Sequence, residues 1–134
     1  MIRCFIGLLL CWCTALGAVT EITDARLWTA QRSTRLVLDV SESPHYKVFA
    51  LDNPSRLVID IDRARLKKNF KHLSYKHSGV RSIRYAKKEK GQVRLVLDLE
   101  KDYPFEHFAL APNDTYGHRL IVDLLKSDKE GEAT

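Results

Sequence analysis

The stretch Arg35-Leu-Val-Leu-Asp-Val40 decides the fold, because close copies of it occur three more times along the chain. Its alternation of leucine and valine between one arginine and one aspartate is typical of a β-strand. Since side chains alternate between the two faces of a strand, Leu36, Leu38 and Val40 share one wholly apolar face. A helix would scatter these residues around its circumference. The other copies are Arg56-Leu-Val-Ile-Asp-Ile61, Arg94-Leu-Val-Leu-Asp-Leu99 and Arg119-Leu-Ile-Val-Asp-Leu124.

The four copies form two pairs, which indicates an internal duplication. The first and third copies lie 59 residues apart, and Phe49-Ala-Leu51 recurs as Phe108-Ala-Leu110 at the same offset. The second and fourth copies lie 63 residues apart, and the four extra residues fall between 111 and 118. The chain therefore contains two related halves, about 21–62 and 80–125, joined by a basic connector.

Four further segments have strand patterns, and turn residues separate them from the repeats. Eight strands with one apolar face each predict an all-β fold, in which two sheets pack face to face. We expect a β-sandwich of two pseudo-symmetric, four-stranded halves, with one or two helical turns between Arg63 and Phe70 as an option for the connector. The further strands are predicted at Ile22–Trp28, Tyr46–Leu51, Val80–Tyr85 and Phe105–Leu110.

The N-terminal segment has the pattern of a secretory signal peptide. Arg3 supplies a positive charge, an apolar run extends from Cys4 to Leu16, and two small residues follow. This run of about 13 residues is shorter than the roughly 20 that a transmembrane helix needs, although an uncleaved anchor is the alternative. We predict a signal peptide at 1–18, a folded domain at 19–126, and a polar tail or the start of a linker at 127–134.

Composition narrows the class of protein further. All three cysteines lie in the N-terminal segment, so the exported domain would lack a disulfide, a thiol nucleophile and a cysteine metal site. A hydrophobic content of 45% argues against a disordered chain, and the single apolar run argues against a polytopic membrane protein. The remaining residues, about 116, are enough for a domain held by its core alone.

The order of these patterns resembles the AMIN domain over about residues 20–125. The most specific part of the resemblance is Asn53-Pro-x-Arg-Leu-Val-Ile-Asp60, and each of the other parts is a generic strand pattern when taken singly. Those other parts are Ile22-x-x-Ala-Arg26, Thr34-Arg-Leu-Val-Leu-Asp39 and Tyr46-x-Val-Phe-x-Leu51.

AMIN domains are the N-terminal modules of periplasmic N-acetylmuramoyl-L-alanine amidases and also occur in the secretins of type IV pili. The resemblance implies a periplasmic, two-sheet β domain that binds peptidoglycan and localises a zinc-dependent catalytic domain, linked or separate, to the division septum. Two alternatives stay open. In the first, the chain is a module that binds envelope division or secretion proteins, as in secretins. In the second, it is the N-terminal part of a zinc amidase whose catalytic domain lies beyond Thr134.

The sequence has no recognisable catalytic or metal-binding motif. Its five histidines are dispersed, mostly in turns or in the connector, without the His-Glu-x-x-His spacing of a zinc hydrolase. Serine-hydrolase patterns and glycine-rich phosphate loops are also absent. We therefore predict a binding protein with no catalytic residues, metal ligands or cofactors in this chain.

The Arg/Asp face of the four repeats is the first candidate site. If neighbouring repeats pair antiparallel, Arg35 would lie near Asp60 and Arg56 near Asp39, and likewise for the last two repeats. One interpretation is a charge ladder that keeps the face soluble, each pair contributing about 0.2–1 kcal/mol. The other is a peptidoglycan-binding face, since a guanidinium fork suits carboxylates. The candidates are Arg35, Asp39, Arg56, Asp60, Arg94, Asp98, Arg119 and Asp123.

The connector region is the second candidate. Eleven Lys or Arg and only two acids lie between Asp62 and Lys90, which indicates either a solvated segment or a site for a polyanion. Outside the cytosol such a polyanion would be peptidoglycan or, at most weakly, an anionic lipid surface, and not a nucleic acid. Trp28 and Tyr46 are possible stacking platforms for sugar rings, although a tryptophan at a strand end more often belongs to the core or its rim.

Overall fold

The computed structural model describes residues 18–127, and these form two packed β-sheets. The predicted signal peptide, apart from its last residue, and the predicted tail beyond Ser127 lie outside the described residues, so both stay predictions. Within 18–127, no helix has the length and apolar character needed to cross a bilayer.

All eight predicted strands are present. The strands in chain order are β1 (Thr20–Thr29), β2 (Ser33–Val40), β3 (Tyr46–Leu51), β4 (Arg56–Ile61), β5 (Ala64–Leu66), β6 (Val80–Lys87), β7 (Val93–Leu99), β8 (Phe105–Leu110) and β9 (His118–Leu125), with a single 3₁₀ turn at Glu89–Gly91.

The connector begins with a strand, so the helical turns considered there were wrong. Strand β5 pairs in parallel with the start of β1, with Ala64 opposite Thr20 and Leu66 opposite Ile22. Ala64 is buried and Leu66 packs against the core, which a strand at the sheet edge achieves by alternation. Further along the connector, the ring of Phe70 is buried in the core and meets Tyr85 edge to face.

Each half contributes one hairpin to each sheet. The five-stranded sheet has the order β5-β1-β2-β9-β8, and the four-stranded sheet has the order β3-β4-β7-β6. Hairpin β1–β2 of the first half therefore corresponds to β6–β7 of the second, but the two lie in opposite sheets. The pseudo-symmetry of the sequence relates one sheet of the sandwich to the other.

The core lies between the sheets and is built from the apolar faces of the repeats. Each repeat contributes three buried residues, in agreement with the alternation seen in the sequence, and burial of each such side chain is worth about 1.5–3 kcal/mol. The twelve residues are Leu36, Leu38, Val40, Leu57, Ile59, Ile61, Leu95, Leu97, Leu99, Leu120, Val122 and Leu124.

The backbone conformation at position 79 and the nearby ring of Tyr103 both require glycine there. Its φ is +82°, and an added Cβ would lie 2.7 Å from the hydroxyl oxygen of Tyr103. We expect Gly79→Ala to lower the free energy of unfolding by about 1–3 kcal/mol, because an L side chain is strained in this conformation. Gly117→Ala is the matched control, since a Cβ added at that position would have no other atom within 4 Å. Urea unfolding of both variants tests this, and equal stabilities would contradict it.

Candidate functional site

The repeats pair between the halves rather than within them. Strand β2 pairs antiparallel with β9, which places Arg35 opposite Asp123, and β4 pairs antiparallel with β7, which places Asp60 opposite Arg94. The antiparallel Arg/Asp register was predicted correctly, but the expected partners, Arg35 with Asp60 and Arg56 with Asp39, were wrong. The reason is that the first two repeats belong to opposite sheets, with the core between them.

The eight candidate residues consequently lie on two surfaces and not on one. We call these surfaces the five-stranded face and the four-stranded face, after the sheets whose outer sides they form. Because the two sheets pack on each other through their inner sides, the two faces point in opposite directions. The five-stranded face carries Arg35, Asp39, Arg119 and Asp123, and the four-stranded face carries Arg56, Asp60, Arg94 and Asp98.

Each face has one bidentate ion pair that joins the two halves of the chain, and its geometry is the same on both faces. Arg35 donates from Nε and Nη2 to the two oxygens of Asp123 at 2.8 and 2.9 Å, and Arg94 donates to Asp60 at the same two distances. The carboxylates are buried, with exposures of 8% for Asp123 and 6% for Asp60, while about a third to a half of each arginine side chain is exposed. Hydrogen bonding to these carboxylates raises the pKa of both guanidinium groups. Each face thus presents a permanently charged fork held by a carboxylate beneath it.

The other aspartate of each face bonds to an arginine that the sequence analysis did not select. Asp39 accepts a 2.9 Å hydrogen bond from Arg26 of β1, and Asp98 accepts bonds of 2.7 and 2.9 Å from Arg84 of β6. Ser82 donates a further bond to Asp98 at 2.8 Å. The recurrence of Ala25-Arg26 as Ile83-Arg84 was the sequence signal for these two arginines.

Arg56 and Arg119 occupy corresponding positions on the two faces but have different partners. Arg56 lies opposite Asp98 in the register and donates from Nε to the Pro54 carbonyl at 3.0 Å. Arg119 lies opposite Asp39, and its guanidinium is 4.7 Å from the ring centre of Tyr116. These two arginines are therefore not held by a bidentate carboxylate.

An apolar row separates the two charged rows of each face. Val37 and Ile121 are buried on the five-stranded face, and Val58 is buried on the four-stranded face. Phe108 and Phe49 continue these rows, and each ring centre lies 5.7 Å from the guanidinium carbon of the bidentate arginine above it. Both faces therefore have the same arrangement of ion pair, buried aliphatic row and aromatic ring, so the duplication is visible on the surface as well as in the core.

The basic connector is partly neutralised within the domain. Lys68 lies 3.5 Å from Asp24, and Arg65 pairs with Glu21. Together with Lys67 and Lys87, these two cations line a shallow cavity of about 390 Å³ beside Tyr85. Binding of a polyanion at the connector stays a prediction. In residues 18–127, no three His, Asp or Glu side chains come together as metal ligands.

The Asp98 ion pair predicts a defined pH dependence of stability. Hydrogen bonds from Arg84 are the main cause that lowers the pKa of Asp98 below its ordinary value of 3.8. As the pH falls below that value, the unfolded chain takes up this proton before the folded chain does, so the free energy of unfolding decreases. Asp98→Asn should therefore make the loss of stability below about pH 4 shallower. The control is Asp114→Asn in an exposed loop, and equal slopes in acid titrations of both variants would refute the assignment.

Comparisons with known proteins identify the family of this chain. The model of the AMIN domain family matches residues 24–124. The chain is 39% identical over 108 residues to the N-acetylmuramoyl-L-alanine amidase AmiC of Neisseria meningitidis serogroup B, a match that covers 78% of the chain and 26% of the relative. It is 30% identical over 120 residues to the amidase AmiC of Escherichia coli O6:H1, covering 87% and 29%. The chain thus spans less than a third of the length of these relatives, and it belongs to the AMIN domain family.

Proposed function

We propose that this chain is a non-catalytic, periplasmic module that binds peptidoglycan and localises an N-acetylmuramoyl-L-alanine amidase to the division septum. The observation that carries the proposal is the pair of outer faces, each with an exposed guanidinium fork above a buried carboxylate. The relationship to two proteins named N-acetylmuramoyl-L-alanine amidases supplies the biological setting.

The bidentate arginines suit a ligand rich in hydroxyl and carboxylate groups. Arg35 and Arg94 each use two of the roughly five guanidinium N–H donors on the aspartate beneath, so about three remain for a ligand. Because the buried carboxylates already fix the forks, little side-chain freedom is lost when a ligand binds. Sugar hydroxyls and stem-peptide carboxylates offer the acceptors that such donors need.

The opposite directions of the two faces favour binding within a polymer network. Each face alone offers a few exposed polar contacts, which are individually weak in water. A cell-wall mesh, however, presents many copies of the same repeat, so that a second contact raises the overall affinity through effective concentration. Two related faces on one small domain are consistent with this mode of retention.

Catalysis in such a system belongs to another domain. The four aspartates of the two faces are engaged in ion pairs with arginines, so they offer neither an open metal position nor a free general base. The role of the module is to keep an amidase domain, joined through residues 127–134 or carried by another chain, near its substrate. This division of roles between two domains is consistent with the chain covering less than a third of the length of its amidase relatives.

Sedimentation with purified sacculi tests the proposal. Arg56→Ala and Arg119→Ala should each weaken retention about threefold to tenfold, which corresponds to roughly 0.6–1.4 kcal/mol. These two arginines suit the test because neither holds a buried carboxylate in a bidentate pair. Arg32→Ala is the control, because it removes the same charge from an exposed position in the turn between β1 and β2, outside the charged rows and the connector.

Recovery of all the wild-type protein in the supernatant at low salt would refute peptidoglycan binding. If the protein instead captured an envelope division or secretion protein and ignored sacculi, the secretin-like role would replace the proposal. Thermal unfolding of each variant, monitored by circular dichroism, separates loss of binding from loss of fold.

A further inference from the structure

The two outer faces have the same strand order and register but different side chains at corresponding positions. The row that contains the Arg35–Asp123 pair, or Arg94–Asp60 on the other face, shows this most clearly, because its flanking residues differ in kind. It runs Trp28, Arg35, Asp123, Glu106 on the five-stranded face, and Ala86, Arg94, Asp60, Lys47 on the four-stranded face.

Exposed apolar side chains concentrate on the five-stranded face. Trp28 is 62% exposed there, and Tyr116, Phe108 and Leu125 are also exposed. Among the described residues of the four-stranded face, Leu51 is the one large apolar side chain of this exposure. Tyr116 belongs to the loop with the four extra residues, so it has no counterpart in the first half.

The two faces also differ in net charge, and here the four-stranded face has the excess of cations. The three rows of the five-stranded face contain three arginines and four acids, whereas those of the four-stranded face contain four cations and two acids. Lys68 lies 3.5 Å from Asp24 and offsets one of these acids, so the five-stranded face is close to neutral, whereas the four-stranded face is basic. The charged residues are Arg26, Arg35, Arg119, Asp24, Asp39, Asp123 and Glu106 on the first, and Lys47, Arg56, Arg84, Arg94, Asp60 and Asp98 on the second.

We infer that the duplicated faces are specialised, the five-stranded face for the neutral sugar rings of a glycan strand and the four-stranded face for carboxylates. The inference rests on the proposed function and adds which chemical part of the polymer each face takes. Trp28 and Tyr116 are the stacking platforms of the sugar-binding face.

The physical basis is the match between a pyranose and an exposed aromatic ring beside a hydrogen-bond donor. The π face of an aromatic ring carries negative charge density, which attracts the polarised C–H bonds on the flat side of a sugar. Arg35 lies directly opposite Trp28 on the neighbouring strand, so its remaining donors reach the hydroxyl groups at the rim of a ring stacked on the indole. Large exposed aromatic residues on a soluble domain mark interaction surfaces.

Charge complementarity assigns the carboxylate groups of the ligand to the four-stranded face. The five-stranded face has no excess of cations that would attract an anionic ligand, whereas the four-stranded face has one. Ala86 stands where Trp28 stands on the opposite side, which leaves Arg94 without an aromatic neighbour on β6. A small residue at this position gives a carboxylate access to the guanidinium fork.

The test measures binding to glycan strands freed of their stem peptides, at about 0.5 M salt, where contacts between exposed charges are largely screened. Wild-type protein should be retained under these conditions, and Trp28→Ala should bind about tenfold more weakly. Leu51→Ala is the matched control, because it removes an exposed apolar side chain from the four-stranded face, and it should change retention less than twofold. The thermal stability of Trp28→Ala should stay close to wild type, because the indole is mostly exposed.

A fluorescence measurement reports on the indole directly. In a Trp12→Phe variant Trp28 is the sole tryptophan of the chain, which has two. Addition of the glycan strands should protect its emission from quenching by iodide. Unchanged quenching, or equal retention of Trp28→Ala and wild type, would overturn the specialisation while leaving sacculus binding intact.

Two other outcomes distinguish a failure of the proposed function from a failure of this inference. Failure of the wild-type protein to bind intact sacculi at low salt would refute the proposed function itself. Concentration-dependent dimers in sedimentation velocity, lost in Trp28→Ala and unaffected by glycan strands, would assign the exposed aromatic face to a second copy of the chain and overturn the inference.

Discussion

The domain depends on antiparallel pairing between strands from different halves, β2 with β9 and β4 with β7. Without these pairings, each half would be two separate hairpins with unpaired edges and uncovered apolar faces. The bidentate pairs Arg35–Asp123 and Arg94–Asp60 help to fix the register. A slip by one residue would turn a charged pair toward the core and an apolar row toward solvent.

The same pairing creates the candidate binding surfaces. Because each repeat points its leucines and valines inward, its arginine and aspartate must lie on the outer side of a sheet. Cross-half pairing then brings the arginine of one half onto the aspartate of the other, twice, on opposite sides of the domain. Stability and surface chemistry thus share the same residues, and a ligand that uses the remaining guanidinium donors meets a fork that is already in place.

Duplication also explains how the two faces came to differ without a change of fold. The core positions are constrained by packing in both halves, whereas outer positions such as Trp28 and Ala86 tolerate exchange because solvent surrounds them. A four-residue insertion adds Tyr116 to one face only. In this way, one scaffold carries two surfaces of different charge and aromatic content.

The sequence by itself determined the strands, the duplication and the inward residues, because period-two alternation and repeated spacing are local properties. The order of its motifs carried the resemblance to the AMIN domain family, which the family match confirmed. The sequence missed strand β5, whose pairing with β1 is a parallel contact over more than forty residues. It also assigned wrong partners to the ion pairs and placed eight residues on one face, because two nearby repeats can lie in one sheet or in two. Only the tertiary structure decided that each half contributes one hairpin to each sheet. That choice depends on how both halves bury their apolar faces together, which no single stretch of sequence contains.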